Sequence, residues 1–207
     1  MIRSLWVMVL SLAITGCGGL LHSNARPDQV YYLRATPIQG SASAAPLRVS
    51  LRLSPPIPAP GLESAQIVLV QPDRRMSFYL ASRWAAPTSR VIETLTVEKL
   101  RGSGLWQSVG DSTTSFPADY VLQVFVRRFE ADYTGGNTAP EVHVVLDCML
   151  GKREGREVIA SFLAEGSATA TANKLGAVVA AFETATNTAL DSVSAQTAQA
   201  ARSWSGP

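Results

Sequence analysis

The sequence is poor in the side chains that build catalytic and metal sites. Its 207 residues include two histidines and two cysteines, and charged residues make up only 16%. Neither a G-x-S-x-G nucleophile elbow nor a G-x-x-x-x-G-K-[ST] phosphate loop occurs. We therefore predict no enzymatic activity, no catalytic residue, no metal ligand and no cofactor.

Strong charge and long apolar runs are also lacking. The net charge is +2, and basic residues stand beside acidic ones, so no surface for nucleic acid is expected. No apolar run reaches the roughly 20 residues that a transmembrane helix needs. Apolar residues nevertheless make up 46% of the chain, which is typical of a globular domain with a core.

The two histidines and Cys148 carry no site in this interpretation. His22 lies far from His143 in the chain, and His143 falls on the polar phase of an alternating segment, which predicts a solvent-facing side chain. Cys148 falls on the apolar phase of the same segment and is predicted to face the core.

The first 17 residues have the order of a secretory signal. Arg3 precedes a mainly apolar run over residues 5–14, and small residues stand directly before Cys17. Ile14-Thr15-Gly16-Cys17 resembles a lipobox, whose cysteine receives a diacylglycerol thioether and further acyl chains such as palmitate. We predict a lipoprotein signal peptide over residues 1–16 and a lipidated Cys17 that begins a tether over residues 17–29. An ordinary secretory signal is the alternative.

Periodicity predicts one α/β (α+β) domain over residues 30–202. Alternating or β-rich segments predict strands at residues 30–33, 47–53, 67–70, 76–80, 105–109, 119–132, 142–150 and 157–171. Three- and four-residue spacing of apolar residues predicts helices over residues 88–101 and 174–200, the second with Asn173 as N-cap. The last three strands are predicted to form an antiparallel meander within a mixed, largely antiparallel sheet that carries both helices on one face.

Two segments carry more specific expectations. Residues 54–61 contain four prolines, which cannot donate ladder hydrogen bonds, so this segment is predicted to leave the sheet. The strand at residues 119–132 is apolar on both faces in its first half, which predicts a central strand covered on both sides.

Several short motifs together resemble a known family. They are Tyr31-Tyr32-Leu33, Ile67-Val68, Tyr79, Arg83-Trp84-Ala85-Ala86-Pro87, Gly102-Ser103-Gly104 and Ala118-Asp119-Tyr120-Val121-Leu122. In this order they resemble the ABC-type transport auxiliary lipoproteins, which include the lipoprotein of the paraquat-inducible membrane-integrity system. The resemblance covers about residues 30–200.

The resemblance implies a periplasm-facing auxiliary component of an ABC-type transport system. Its partners would be an inner-membrane permease and ATPase and a substrate-binding protein of the mammalian-cell-entry type, and the system would move lipids or other hydrophobic molecules between two membranes. Gly18 stands where an aspartate would be the usual inner-membrane retention signal, so by analogy the lipoprotein belongs in the outer membrane. A structural or regulatory lipoprotein that contacts another envelope protein, such as a cell-wall synthase, is the alternative.

Two surfaces are candidates for partner contact. Arg83 and Trp84 belong to the residue types that dominate interfaces, although the favoured alternative is that Trp84 packs beneath the first helix and Arg83 pairs with a carboxylate. The C-terminal helix carries only Glu183 and Asp191 between Lys174 and Arg202. Its weakly charged outer face fits either a subunit contact in a homo-oligomer or an alanine-rich exposed helix.

Overall fold

The computed structural model describes residues 28–37, 45–154 and 157–203. The predicted signal peptide, Cys17 and most of the tether lie outside these residues. The strands are β1 (Gln29–Tyr31), β2 (Leu47–Leu53), β3 (Ile57–Pro58), β4 (Gln66–Val70), β5 (Met76–Trp84), β6 (Trp106–Gly110), β7 (Tyr120–Asp132), β8 (Glu141–Lys152) and β9 (Glu157–Thr169). The helices are α1 (Thr88–Gly102), between β5 and β6, and α2 (Leu175–Ser203), after β9.

The long strand β7 is the centre of the sheet. On one side it pairs antiparallel with β8 along its whole length, and β8 pairs antiparallel with β9. A local irregularity between Val126 and Arg128 leaves Arg127 without a partner residue on β8, as in a β-bulge. The predicted antiparallel meander is confirmed.

On its other side β7 pairs with three short strands in succession. β2, β3 and β4 run parallel to β7 and occupy its first, middle and last parts. β6 lies beyond β2, while β5 and then β1 lie beyond β4, so the sheet divides into two wings on this side. In the described ranges, the mixed nine-stranded sheet and the two helices confirm the predicted α+β class of a single domain.

The proline-rich segment stays beside β7, contrary to the prediction that it leaves the sheet. Ile57 and Pro58 pair with β7 as β3. The N–H groups of Ser54 and Ala59 donate to the carbonyls of Leu122 and Val126, each at 2.9 Å. The prediction was wrong because these two donors face β7 and none of the four prolines occupies their positions.

Both helices cover the same face of the sheet, as predicted. An aromatic cluster joins the layers: the ring centroid of Trp84 lies 5.6 Å from that of Phe129 on β7 and 5.1 Å from that of Phe182 on α2. Cys148 on β8 is fully buried in this core, and burial raises the pKa of its thiol to about 12. The prediction that Cys148 faces the core is confirmed.

α2 approaches β9 very closely at Gly166. A Cβ atom at this glycine would lie 2.9 Å from the carbonyl carbon of Ala185 and 2.9 Å from the amide nitrogen of Ala189. Such distances are shorter than van der Waals contact, so the helix backbone rests directly on the strand.

Two local expectations were wrong. The second face of β7 carries no helix or strand among the described residues, and Val121 and Phe125 remain partly exposed there. Asn173 does not cap α2, because its side-chain oxygen accepts a hydrogen bond from the hydroxyl of Tyr133 at 2.8 Å. The carbonyl of Lys174 instead accepts the first helical hydrogen bond, from the N–H of Val178.

Candidate functional surfaces

The structure separates the two members of the Arg83-Trp84 pair. Trp84 has no exposed surface and therefore cannot touch a partner of the folded domain. Its indole belongs to the core cluster, which bears out the packing alternative for this residue. A contact role for Trp84 is ruled out by burial, whereas a role for Arg83 stays a prediction.

Arg83 lies on the outer wing of the sheet, where the described chain begins. Its residue position pairs with Val30 of β1. Its guanidinium Nε lies 3.7 Å from Oδ2 of Asp28, and about half of each side chain is exposed. An exposed ion pair of this kind contributes little to stability, so both groups can exchange partners at low cost.

A buried lysine fastens the segment that follows β1 to the two helices. The side chain of Lys99 on α1 is 1% exposed, and its ammonium lies 2.7 Å from Oδ1 of Asp191 on α2. The same ammonium donates to the carbonyl of Thr36 at 2.8 Å. A buried ammonium requires such partners, since an unpaired charge in the core is strongly unfavourable.

α2 adds a second set of hydrogen bonds to the same segment. Glu183 accepts from the backbone N–H of Arg34 at 2.9 Å, and Asn187 accepts from the N–H of Thr36 at 2.7 Å. The amide group of Asn187 donates in turn to the carbonyl of Arg34 at 2.8 Å. We call Arg34, Thr36, Lys99, Glu183, Asn187 and Asp191 the strap cluster; it holds a stretch without regular secondary structure against the helical layer.

β5 carries a wide bulge opposite β4. Phe78 pairs with Val68 and Arg83 with Gln66, so the single residue Ile67 opposes the four residues 79–82. Ala81 has a φ of 49°, in the left-handed region that alanine rarely adopts. Leu80, beside it, is 92% exposed.

The face of the sheet opposite the helices has an apolar half and a charged half. The apolar half contains Val121, Phe125, Met149 and Leu163, the last of them 51% exposed. Arg127 and Asp147 form an ion pair next to Phe125. In the charged half, the guanidinium of Arg128 binds the carboxylates of Glu130 at 2.7 Å and Asp132 at 2.9 Å.

His143 lies in that charged half and is not fully solvated. About a quarter of its side chain is exposed, and its Nε2 lies 3.8 Å from Oε2 of Glu141. Among the described residues, no group of three or more histidine, cysteine, aspartate or glutamate side chains could hold a metal ion. Neither of the described helices combines the length and apolar character needed to cross a membrane.

A depression of about 470 Å³ lies in the apolar half, where β3 meets β7. Ile57, Pro58, Pro60 and Phe125 line it, and the Arg127–Asp147 pair forms its charged rim. Ile57 is 44% exposed here. The depression is open to solvent and apolar, which suits contact with an apolar surface better than catalysis on a polar substrate.

Asp119, from the Ala-Asp-Tyr motif, has a structural role at the start of β7. Its carboxylate accepts hydrogen bonds from the N–H and the hydroxyl of Ser50 on β2, both at 2.7 Å. The Ser50 hydroxyl oxygen accepts from the N–H of Asp119 at 3.0 Å. The hydrogen bond from the Ser50 N–H, and after it the one from the Ser50 hydroxyl, holds the pKa of Asp119 below its usual value. The same hydrogen bonds join β2 to β7.

Sequence reasoning missed the strap cluster and the bulge. In the sequence, Lys99 looks like an ordinary charged residue of α1. Asp191 lies on α2, far along the chain, and nothing in the sequence indicates that the two side chains meet. Nothing at residues 79–82 indicates a bulge, because Tyr-Leu-Ala-Ser contains neither glycine nor proline.

Comparison with protein families gives one match over most of the chain. A model described as the ABC-type transport auxiliary lipoprotein component matches residues 31–197. No curated protein matches the chain.

Two crystal structures share the fold. Protein XCC0632 from Xanthomonas campestris, of the DUF330 family, is 24% identical and superposes with a TM-score of 0.75, over 84% of this chain and 97% of that one. A second, uncharacterized protein is 14% identical with a TM-score of 0.63, over 83% of this chain and 99% of that one. At these identities the similarity establishes the fold.

Proposed function

The chain belongs to the ABC-type transport auxiliary lipoprotein family, and from that premise we propose that it is a lipid-anchored, non-catalytic subunit of a transporter for lipids or other hydrophobic molecules. It would cooperate with an inner-membrane permease and ATPase and with a substrate-binding protein of the mammalian-cell-entry type. It would be fixed to the periplasmic face of the outer membrane. The observation that carries this proposal is the family match over residues 31–197, directly downstream of the lipobox-like sequence that ends at Cys17.

The described surfaces support a role in contact better than a role in catalysis. Trp84 and Cys148, the side chains most easily taken for reactive or recognition groups, are fully buried. The apolar half of the open sheet face is the described surface that offers partly exposed large apolar side chains together, Phe125 and Leu163 among them. Such patches commonly mark interaction sites.

The anchor supports the location. Several acyl chains on one cysteine bind a membrane stably, whereas a single chain holds it only marginally. Asp28 is the eleventh residue after Cys17, and a chain of eleven residues spans at most about 40 Å. The domain would therefore stay close to the membrane that holds the lipid, and partners in the other membrane would have to reach it.

Copurification tests the proposed function. The full-length protein with a C-terminal tag is expressed at native level, solubilised in mild detergent and purified beside a Cys17→Ser variant. We expect an ABC permease, its ATPase and a mammalian-cell-entry-type protein to copurify with the wild type, together with bound phospholipid. Mass spectrometry should show that the Cys17→Ser variant is not acylated, and this variant should appear in the periplasmic extract.

A second variant separates partner contact from anchoring. Phe125→Glu places a charge on the open sheet face without touching the helical core, and Ser115→Glu, at an exposed position in the segment before β7, is its matched control. We expect the first to reduce copurification of transporter subunits and the second to leave it unchanged. Recovery of a cell-wall synthase without any transporter subunit would refute the transport role and support the alternative.

A further inference from the structure

We propose that the β5 bulge, with Leu80 at its tip, contacts the surface of the lipid bilayer that holds the anchor. This inference rests on the proposed lipid anchor at Cys17 and adds an orientation: the domain would stand on the membrane with the bulge downward. The occupant of this surface is a lipid bilayer and not a protein.

The bulge is a built feature and not a loose loop. The hydroxyl of Ser82 donates to the carbonyl of Leu80 at 3.0 Å, which closes the bulge on itself. On its other side the hydroxyl of Tyr79 lies 2.8 Å from that of Tyr133, which donates to Asn173. Burial raises the pKa of Tyr79 far above its usual value, so this phenol remains a neutral hydrogen-bonding group.

This geometry presents Leu80 to solvent at a cost in backbone energy. A non-glycine residue in the left-handed region, such as Ala81 with φ of 49°, is unfavourable and persists only where the surroundings enforce it. Isolated exposed apolar residues are common and need no explanation. A leucine that is 92% exposed beside such a residue is different, because the fold holds this side chain in a fixed, exposed position.

The bulge lies where the chain from Cys17 enters the fold. Gln29 of β1 pairs with Ser82 of the bulge, and Asp28 lines the same shallow depression as Leu80. β1 runs parallel to β5, so the chain enters β1 from the side where β5 begins. Met76 at that start pairs with Val70, which pairs in turn with Asp132 at the end of β7.

The length of chain before residue 28 favours this end of the domain as the one that faces the bilayer. β7 has 13 residues and is therefore about 40 Å long. The eleven residues after Cys17 also reach at most about 40 Å. The opposite end, near the start of β7, could face the membrane only if most of those residues ran back along the domain.

The chemistry around the bulge suits a headgroup region. Leu80 supplies an apolar tip, and Met76 on the same strand is 45% exposed. Arg74 and Arg75 stand in the turn before β5, where Arg75 is paired with the exposed Asp73. Apolar side chains that enter the acyl boundary beside basic groups are typical of proteins that rest on anionic membranes.

Phe116 provides a matched control. It is 80% exposed and precedes β7 by a few residues, so it is an equally exposed apolar side chain at the opposite end of the domain. Single labels at Leu80→Cys and Phe116→Cys can be read without interference, since Cys148 is fully buried and an acylated Cys17 has no free thiol.

The experiment measures how close each label lies to the bilayer. The acylated full-length variants carry a bimane label and are reconstituted into vesicles of phosphatidylethanolamine and phosphatidylglycerol that contain phospholipid spin-labelled near the headgroup. We expect quenching of the label at position 80 to be at least threefold stronger than at position 116. Equal quenching at both positions, or stronger quenching at 116, would overturn the proposal.

Flotation of the same vesicles separates this proposal from the proposed function. Protein that floats with the vesicles but shows no excess quenching at position 80 overturns the bulge contact and leaves the anchor intact. Acylated protein that does not float overturns the anchor and the bulge contact together. Excess quenching at position 80 in floated protein supports both.

Discussion

Replacing Gly166 with alanine measures how much stability depends on the direct contact between α2 and the sheet. The new methyl carbon would lie 2.9 Å from both the carbonyl carbon of Ala185 and the amide nitrogen of Ala189, and closer still to the Ala185 carbonyl oxygen. Ordinary contacts between such atoms need about 3.5 Å or more, so the helix must retreat by about 1 Å. The retreat opens a gap at the neighbouring contacts, and a gap of about 0.5–1 Å forfeits a quarter to a half of their attraction.

The retreat affects the whole contact and not one atom pair. Phe182, Ala189 and Val193 on α2 are fully buried against the sheet, and their packing would loosen together. Overpacked cores lose about 1–3 kcal/mol and occasionally more. Because the atoms that clash here belong to backbone, we expect a loss of about 3 kcal/mol in the free energy of unfolding, the upper part of that range.

Urea unfolding of the domain, followed by tryptophan fluorescence, provides the measurement. Gly176→Ala is the matched control, since nothing lies within 4 Å of the added methyl group on the same helix. The control should be neutral or stabilising by up to about 1 kcal/mol, the helix preference of alanine over glycine. If Gly166→Ala unfolds within 0.5 kcal/mol of the parent with an unchanged m-value, the inferred close packing is refuted.

Three further predictions follow from the other contacts. Trp84→Ala should lower the free energy of unfolding by about 3–5 kcal/mol in the same assay, because it empties the centre of the aromatic cluster; a loss below 1 kcal/mol would contradict its burial. Asp191→Ala should lower the free energy of unfolding by about 2 kcal/mol, because it leaves a buried ammonium without its carboxylate. Lys99→Met should lower it by less, because the methionine removes the charge itself; the reverse order by thermal unfolding would refute this assignment. Asp119→Asn should lower the free energy of unfolding by about 1 kcal/mol at pH 7, because it weakens the hydrogen bonds that the carboxylate accepts from Ser50. Because the pKa of Asp119 is lowered in the folded state, its contribution is present above the unfolded value near 4 and is lost as the pH falls through the folded value. The two melting temperatures should therefore converge toward pH 2, and a constant difference would contradict the pKa direction.

The periodicity of apolar residues correctly predicted the helices and strands that bury one face and expose the other. The helix expected over residues 88–101 is α1 (Thr88–Gly102), and the helix expected over residues 174–200 is α2 (Leu175–Ser203). The antiparallel meander could also be predicted from the sequence, because β7, β8 and β9 follow one another and pair as consecutive strands. A hairpin turn at residues 73–75 joins β4 to β5, with Arg74 in the left-handed region.

Features that depend on distant parts of the chain could not be predicted in this way. β3 pairs with β7 because Ser54 and Ala59 aim their donors toward it, and the proline count alone does not reveal that direction. The burial of Lys99 depends on Asp191 and Thr36, which come from other parts of the chain. The apolar character of Val121 and Phe125 indicated a covered face, whereas the described residues leave that face open.

The lipid anchor and the contact role of Arg83 stay predictions. Cys17 lies outside the described residues, and the motif over residues 14–17 carries that prediction by itself. Arg83 is about half exposed, and its described ion-pair partner is Asp28 at 3.7 Å, which leaves it accessible without showing what it binds. The weakly charged outer side of α2 is exposed in the single chain, and the homo-oligomer hypothesis stands as before.

The strap cluster also determines how the domain would respond to force. A pull on the chain before Gln29 acts first on the three residue pairs between β1 and β5 at the edge of the sheet. Beyond Tyr31 the load reaches Arg34 and Thr36, which are hydrogen-bonded to Glu183 and Asn187 of α2 and to Lys99 of α1. Those bonds must yield together, so the seam between the helices acts as a mechanical stop that keeps traction from peeling the sheet apart.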